Sequence, residues 1–106
     1  RMSDREYILR KIKETAISFD SESVVILYGS QAKGTASSES DWDFLILTGS
    51  DCDNDMKREI RNAIHLIELE TGEIITVIIH NREYWYSPKN SVTPFYKNIS
   101  MESISL

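Results

Sequence analysis

Apolar residues recur at three- and four-residue spacing from Asp4 to Phe19, where Ile8, Leu9, Ile12, Ala16 and Phe19 form one stripe with charges between them. This predicts an amphipathic helix, capped by Ser3 or Asp4. The polar stretch "SFDSES" breaks it. Val24 to Tyr28 is then a continuous apolar run with β-branched residues, the mark of a buried strand, and Gly29 ends it. "SQAK" has the length of one helical turn before Gly34, and "GTASSESD" has loop composition. Trp42 to Thr48 is a second, nearly all-apolar strand. After the turn "GSDCDND", Asn54 to Glu70 carries the longest helical pattern, with Met56, Ile60, Ala63, Ile64 and Ile67 on one face. Thr71-Gly72 supplies its stop. Glu73 to His80 reads as a third strand centred on "IITVII". Beyond it, Asn81 is placed to cap a short helix through Trp85 that Pro88 ends, and Pro94 to open a further turn carrying Phe95 and Tyr96. This order predicts an α/β or α+β sandwich around a core sheet of three or four strands.

At 106 residues the chain fits a single domain, 1–106, and Arg1 ahead of Met2 reads as an added residue. No apolar run approaches the roughly 20 residues needed to span a bilayer. No signal-peptide pattern is visible, and the lone Cys52 excludes an internal disulfide, so a reducing cytoplasm is the expected setting. The formal net charge of -5, with no stripe of Lys and Arg, argues against direct nucleic-acid binding. A small phosphate ligand stays open if a cation screens it.

The chemistry concentrates in "VVILYGSQAKGTASSESDWDFLIL", Val24 to Leu47. A strand that runs into Gly29-Ser30 and a short helix offers free backbone N–H groups to an anion. Gly29 lets the backbone approach a ligand closely, and the Ser30 hydroxyl adds a donor. Asp41 and Asp43 stand two apart at a strand start, on one face by the strand period. Like charges at that range repel, and a cation between them removes the cost. Paired carboxylates that leave other positions to water and phosphate oxygens suit Mg²⁺. The alternative is a plain turn at Gly29-Ser30 and a solubilising Asp41. The spacing in "GSQAKGT" is not a Walker A loop, because Thr35 stands where the lysine is required.

"GSQAKG…SDWD" resembles the G-S-x-A-x-G-x(n)-S-D-x-D signature of the minimal nucleotidyltransferases of the DNA polymerase beta superfamily. The resemblance implies a mixed β-sheet with helices packed mainly on one face. It implies that Gly29, Ser30, Lys33, Gly34 and Ser40 meet the nucleotide, and that Asp41 and Asp43 are the catalytic carboxylates, ligating two Mg²⁺ ions. The implied reaction moves a nucleoside monophosphate, AMP from ATP, to an acceptor hydroxyl. Relatives of this length often work beside a small helical HEPN protein as toxin and antitoxin, which suggests such a partner and one of its tyrosines as acceptor. Two positions depart from the pattern. Gln31 stands where many relatives carry arginine. Thr76 stands where the family places a third carboxylate, while Glu73, three residues earlier, faces the other way on a regular strand. The alternative function is therefore a nucleotidyltransferase-like binding subunit with little turnover. His65, His80 and the aromatics Tyr84, Trp85, Tyr86, Phe95 and Tyr96 are expected to be structural.

Overall fold

The computed structural model describes residues 4–37 and 39–106, so the suggested Ser3 cap lies outside the described residues. In chain order come α1 (Asp4–Phe19), β1 (Val24–Tyr28), α2 (Ser30–Lys33), β2 (Trp42–Thr48) and α3 (Asn54–Thr71). β3 (Ile75–Asn81), α4 (Arg82–Trp85), α5 (Pro88–Ser91), α6 (Pro94–Met101) and β4 (Ile104–Ser105) complete the order. The sheet is mixed, in the order β3-β2-β1-β4. β1 runs antiparallel to both β2 and β4, while β3 runs parallel to β2 through the α3 crossover.

β2 is central, and every side chain from Phe44 to Thr48 is buried, which is why its sequence reads as an unbroken apolar run rather than an alternation. The strand period then sorts two cores. Val25, Leu27, Trp42, Phe44, Ile46, Ile75, Val77 and Ile79 face the long helices, meeting Ile8, Ile12 and Ala16 of α1 and Ile60, Ile64 and Ile67 of α3. On the other face Leu45 and Leu47 pack with Trp85 and Ile99, from the short helices α4 and α6. The expected helical layer is the first face, and the short C-terminal helices close a second, smaller core behind the sheet.

Local chemistry sets the boundaries. The Asp53 carboxylate accepts from the Met56 N–H at 2.8 Å to cap α3, whose end is the left-handed Gly72 at φ 74°. The Asn81 side chain caps α4 through the Tyr84 N–H at 2.7 Å, as its position in the sequence suggested. Pro88 does not terminate α4. It opens α5 as a first-turn proline behind the Ser87 cap, a position where its missing N–H costs nothing. β3 is an edge strand, and α3 shields its backbone: Arg61 Nη1 donates to the Val77 carbonyl at 2.7 Å and the Glu68 carboxylate accepts from the Ile75 N–H at 2.8 Å. Those two bonds fix where β3 begins, one or two residues later than periodicity alone suggests.

Phe44 is fully buried beneath α1 and α3 and directly follows Asp43. Phe44→Ala should cost about 3–5 kcal/mol of stability, read as a shift of the chemical-denaturation midpoint.

Candidate active site

Three residues from three adjacent strands form a row. Asp43 pairs in register with Tyr28 of β1 on one side and with Thr76 of β3 on the other. Trp42 and Phe44 point into the α1–α3 core, so the alternation sends Asp43 to the opposite face, together with Tyr28, Leu45 and Thr76. Asp43 is half-buried and Thr76 exposed. The row lies at the entrance of β2, before the buried stretch covered by α4 and α6 begins.

Burial, and next the charge of Asp41, push the Asp43 carboxyl above its ordinary range. Asp41 precedes the strand and is exposed. Asp43 in turn adds to the burial that raises the Tyr28 phenol. The expected pair is thus electrostatically coupled, with one member inside the sheet and the other at its rim.

Gly29 touches this site directly. Its φ of 75° and ψ of -161° belong to a region that essentially only glycine occupies. A Cβ placed on it would run into Oδ2 of Asp43. The backbone conformation selects glycine here, and a Cβ would in addition displace the Asp43 carboxylate. Gly34 is glycine for its backbone alone: it ends α2 in the left-handed region at φ 77°, with open space around it.

The other expected residues divide. Ser30 opens α2 beside Gly29, and the first-turn amides of Ser30 and Gln31 have no acceptor within the helix. Lys33 closes α2 and lines a cleft with Tyr28, Gly29 and Phe95. The Ser40 hydroxyl is engaged in its own loop, accepting from the Ser37 N–H at 2.8 Å. Gln31 donates to the Ser40 carbonyl at 3.4 Å and ties that loop to α2. Glu73 turns away from Asp43: its carboxylate accepts from the indole N–H of Trp42 at 3.3 Å, on the side of the long helices. Among the described residues no third Asp, Glu, His or Cys joins the pair in a metal-holding group.

His80 stacks on Trp85 and meets Tyr84 at a tilt, and burial lowers its pKa, in keeping with a structural role. Trp85 is core, whereas Tyr84 and Tyr86 are exposed, so the aromatic cluster closes the second core only in part. Sequence reasoning missed Tyr28 as the neighbour of Asp43 and the contribution of α6. The first is a matter of strand register, the second of tertiary packing, and neither leaves a local pattern.

Among the described residues no helix is long and apolar enough to cross a membrane. No curated protein matches the chain significantly. Residues 10–87 match the family model described as polymerase beta, nucleotidyltransferase. That match takes in most of α1, the Gly29 turn, the aspartate pair and all three long strands, and the chain belongs to the polymerase beta-type nucleotidyltransferase family.

Proposed function

We propose that the chain is a magnesium-dependent nucleotidyltransferase that moves AMP from ATP to an acceptor hydroxyl. The observation that supports this best is the coupled Asp41–Asp43 pair set against Gly29. Asp43 is held where burial and a second carboxylate make its charge unfavourable, and a divalent cation offsets that cost. Asp41 and Asp43 are the residues that would hold the metal. When bound, Mg²⁺ neutralises triphosphate charge and favours both the attacking and the leaving oxygen. Gly29 keeps the space beside Asp43 free of a side chain, so phosphate oxygens can approach the backbone. Ser30 donates its hydroxyl and the first-turn amides donate their N–H groups to those oxygens. The acceptor oxygen bonds to the α-phosphorus, the bond to the bridging oxygen breaks, pyrophosphate leaves, and the acceptor proton goes to a base. We place the acceptor on a second protein, a tyrosine of a HEPN-type helical partner being the candidate that the resemblance suggests.

A second reading is favoured by Thr76. It stands in register beside Asp43, yet its hydroxyl is no proton acceptor at neutral pH. A site that binds the nucleotide–metal complex and turns over slowly, as a binding subunit, fits that residue.

Calorimetry should find ATP bound about tenfold or more tightly with Mg²⁺ than without it, since a chain of net charge -5 repels a bare triphosphate. Asp43→Asn should abolish most of that difference, and equal affinities in wild type would refute the metal assignment.

The raised Asp43 pKa has a signed consequence for stability. The folded state holds this proton more tightly than the unfolded state, so the native contribution is present at low pH and lost as pH rises through the folded value. In chelator, Asp43→Asn should therefore melt higher than wild type at neutral pH, and the two melting curves should converge at acid pH. A difference independent of pH would contradict the strained-carboxylate account.

General-base assistance is typically worth about 10²–10⁴ in rate. Pyrophosphate release by wild type should be slow, Thr76→Asp should accelerate it, and Glu73→Gln should leave it unchanged. Brisk wild-type turnover that is lost in Glu73→Gln would show that the proton acceptor is Glu73.

A further inference from the structure

The cleft that Lys33 lines is shared by β1, α2 and the C-terminal helix α6. Tyr28, Gly29, Phe95, Asn98 and Glu102 complete its chemistry, and it holds about 190 Å³. That is below the roughly 300–1,000 Å³ of pockets for whole drug-sized ligands, so it suits one ring system rather than a complete nucleotide. Gly29 belongs to two places at once: it walls the cleft and abuts the Asp43 carboxylate. A ligand with phosphates at the aspartate pair therefore has this cleft directly beside it.

We propose that this cleft receives the nucleobase and that Glu102 selects a base carrying an exocyclic amine, the adenine of ATP. The proposal rests on the phosphate-binding reading above and extends it from the triphosphate to the base. The ring of Phe95 is held edge-on by Tyr28 at 5.6 Å and by Trp85 at 5.8 Å, yet it is still 36% exposed. A base stacked on it meets a ring whose orientation is already set.

Asn98 in the last turn of α6 and Glu102, the extended residue that caps it, are both exposed, and neither side chain bonds to another described residue. The Glu102 carboxylate accepts from an amine N–H and has no donor for a keto oxygen, while Lys33 in the same wall supplies a donor for phosphate. The Asn98 carboxamide can pair with the adjacent N6 and N7 of adenine. Phe95, Asn98 and Glu102 all lie beyond residue 87, outside the stretch that matches the family model.

The test compares binding of Mg–ATP, Mg–inosine triphosphate, in which the amine is replaced by a keto oxygen, and Mg–tripolyphosphate, which has no base. Wild type should prefer ATP to inosine triphosphate by about tenfold, as a hydrogen bond to a charged acceptor implies. Glu102→Gln should remove that preference, because a carboxamide serves either group. Phe95→Ala should weaken ATP by roughly 5- to 100-fold while tripolyphosphate changes little. Should Phe95→Ala not fold, the exposed Glu102→Gln decides alone. An unchanged ATP preference in Glu102→Gln, or parallel loss of ATP and tripolyphosphate in Phe95→Ala, overturns the base pocket. Tripolyphosphate bound as tightly as ATP by wild type overturns the pocket while leaving the phosphate site standing. No binding of either by wild type overturns both.

Discussion

The structure turns on one carboxylate placed in the second position of a strand that is otherwise buried. β2 is the central strand, and from Phe44 onward it has no exposed side chain. Asp43 sits at its entrance, half-buried, with a pKa raised by burial and by Asp41. Such a charge is tolerated only where the sheet is left uncovered and the neighbouring backbone yields space. Gly29 yields that space, in a conformation that other residues essentially do not adopt. The anchoring comes from the opposite face, where Trp42 and Phe44 are locked under α1 and α3 and so fix the direction in which Asp43 points.

The two faces of the sheet do different work. The long helices α1 and α3 supply most of the apolar burial. The short helices α4 and α6 cover only the later part of β2, through Trp85 and Ile99 on Leu45 and Leu47. Where that cover stops, Thr76 is exposed and Asp43 half-buried, while Tyr28 still packs against Phe95 of α6. α6 contributes to both zones, burying Ile99 and presenting Phe95 and Asn98 to the cleft, with Glu102 just past its end. A change in how α6 packs therefore alters both the second core and the proposed base site.

Edge protection also bears on the site. β3 carries Thr76 beside Asp43, and its register is pinned by α3 through Glu68 on the Ile75 N–H and Arg61 on the Val77 carbonyl. A slip by one residue would exchange the faces of the strand, bringing Ile75 or Val77 to the row and burying Thr76. The identity of the residue next to the aspartates is thus enforced by two side chains of the crossover helix α3.

Much of this was legible in the sequence because the relevant signals are local. The apolar runs at Val24–Tyr28 and Trp42–Thr48, the stripes of α1 and α3, the Asn81 cap and the Gly72 stop each depend on neighbours within a few residues. The Gly29-Ser30 turn and the Asp41–Asp43 spacing carried the family resemblance for the same reason. Tertiary structure alone decided the rest. The short pairing of β4 with β1, the start of β3 and the role of Pro88 as a helix opener depend on partners or caps that periodicity does not encode. The contact of Gly29 with Asp43 and the meeting of Tyr28 with Phe95 join residues 14 and 67 positions apart in the numbering. Their proximity follows from strand register and from the return of α6 over the sheet, which are fixed only when both cores close.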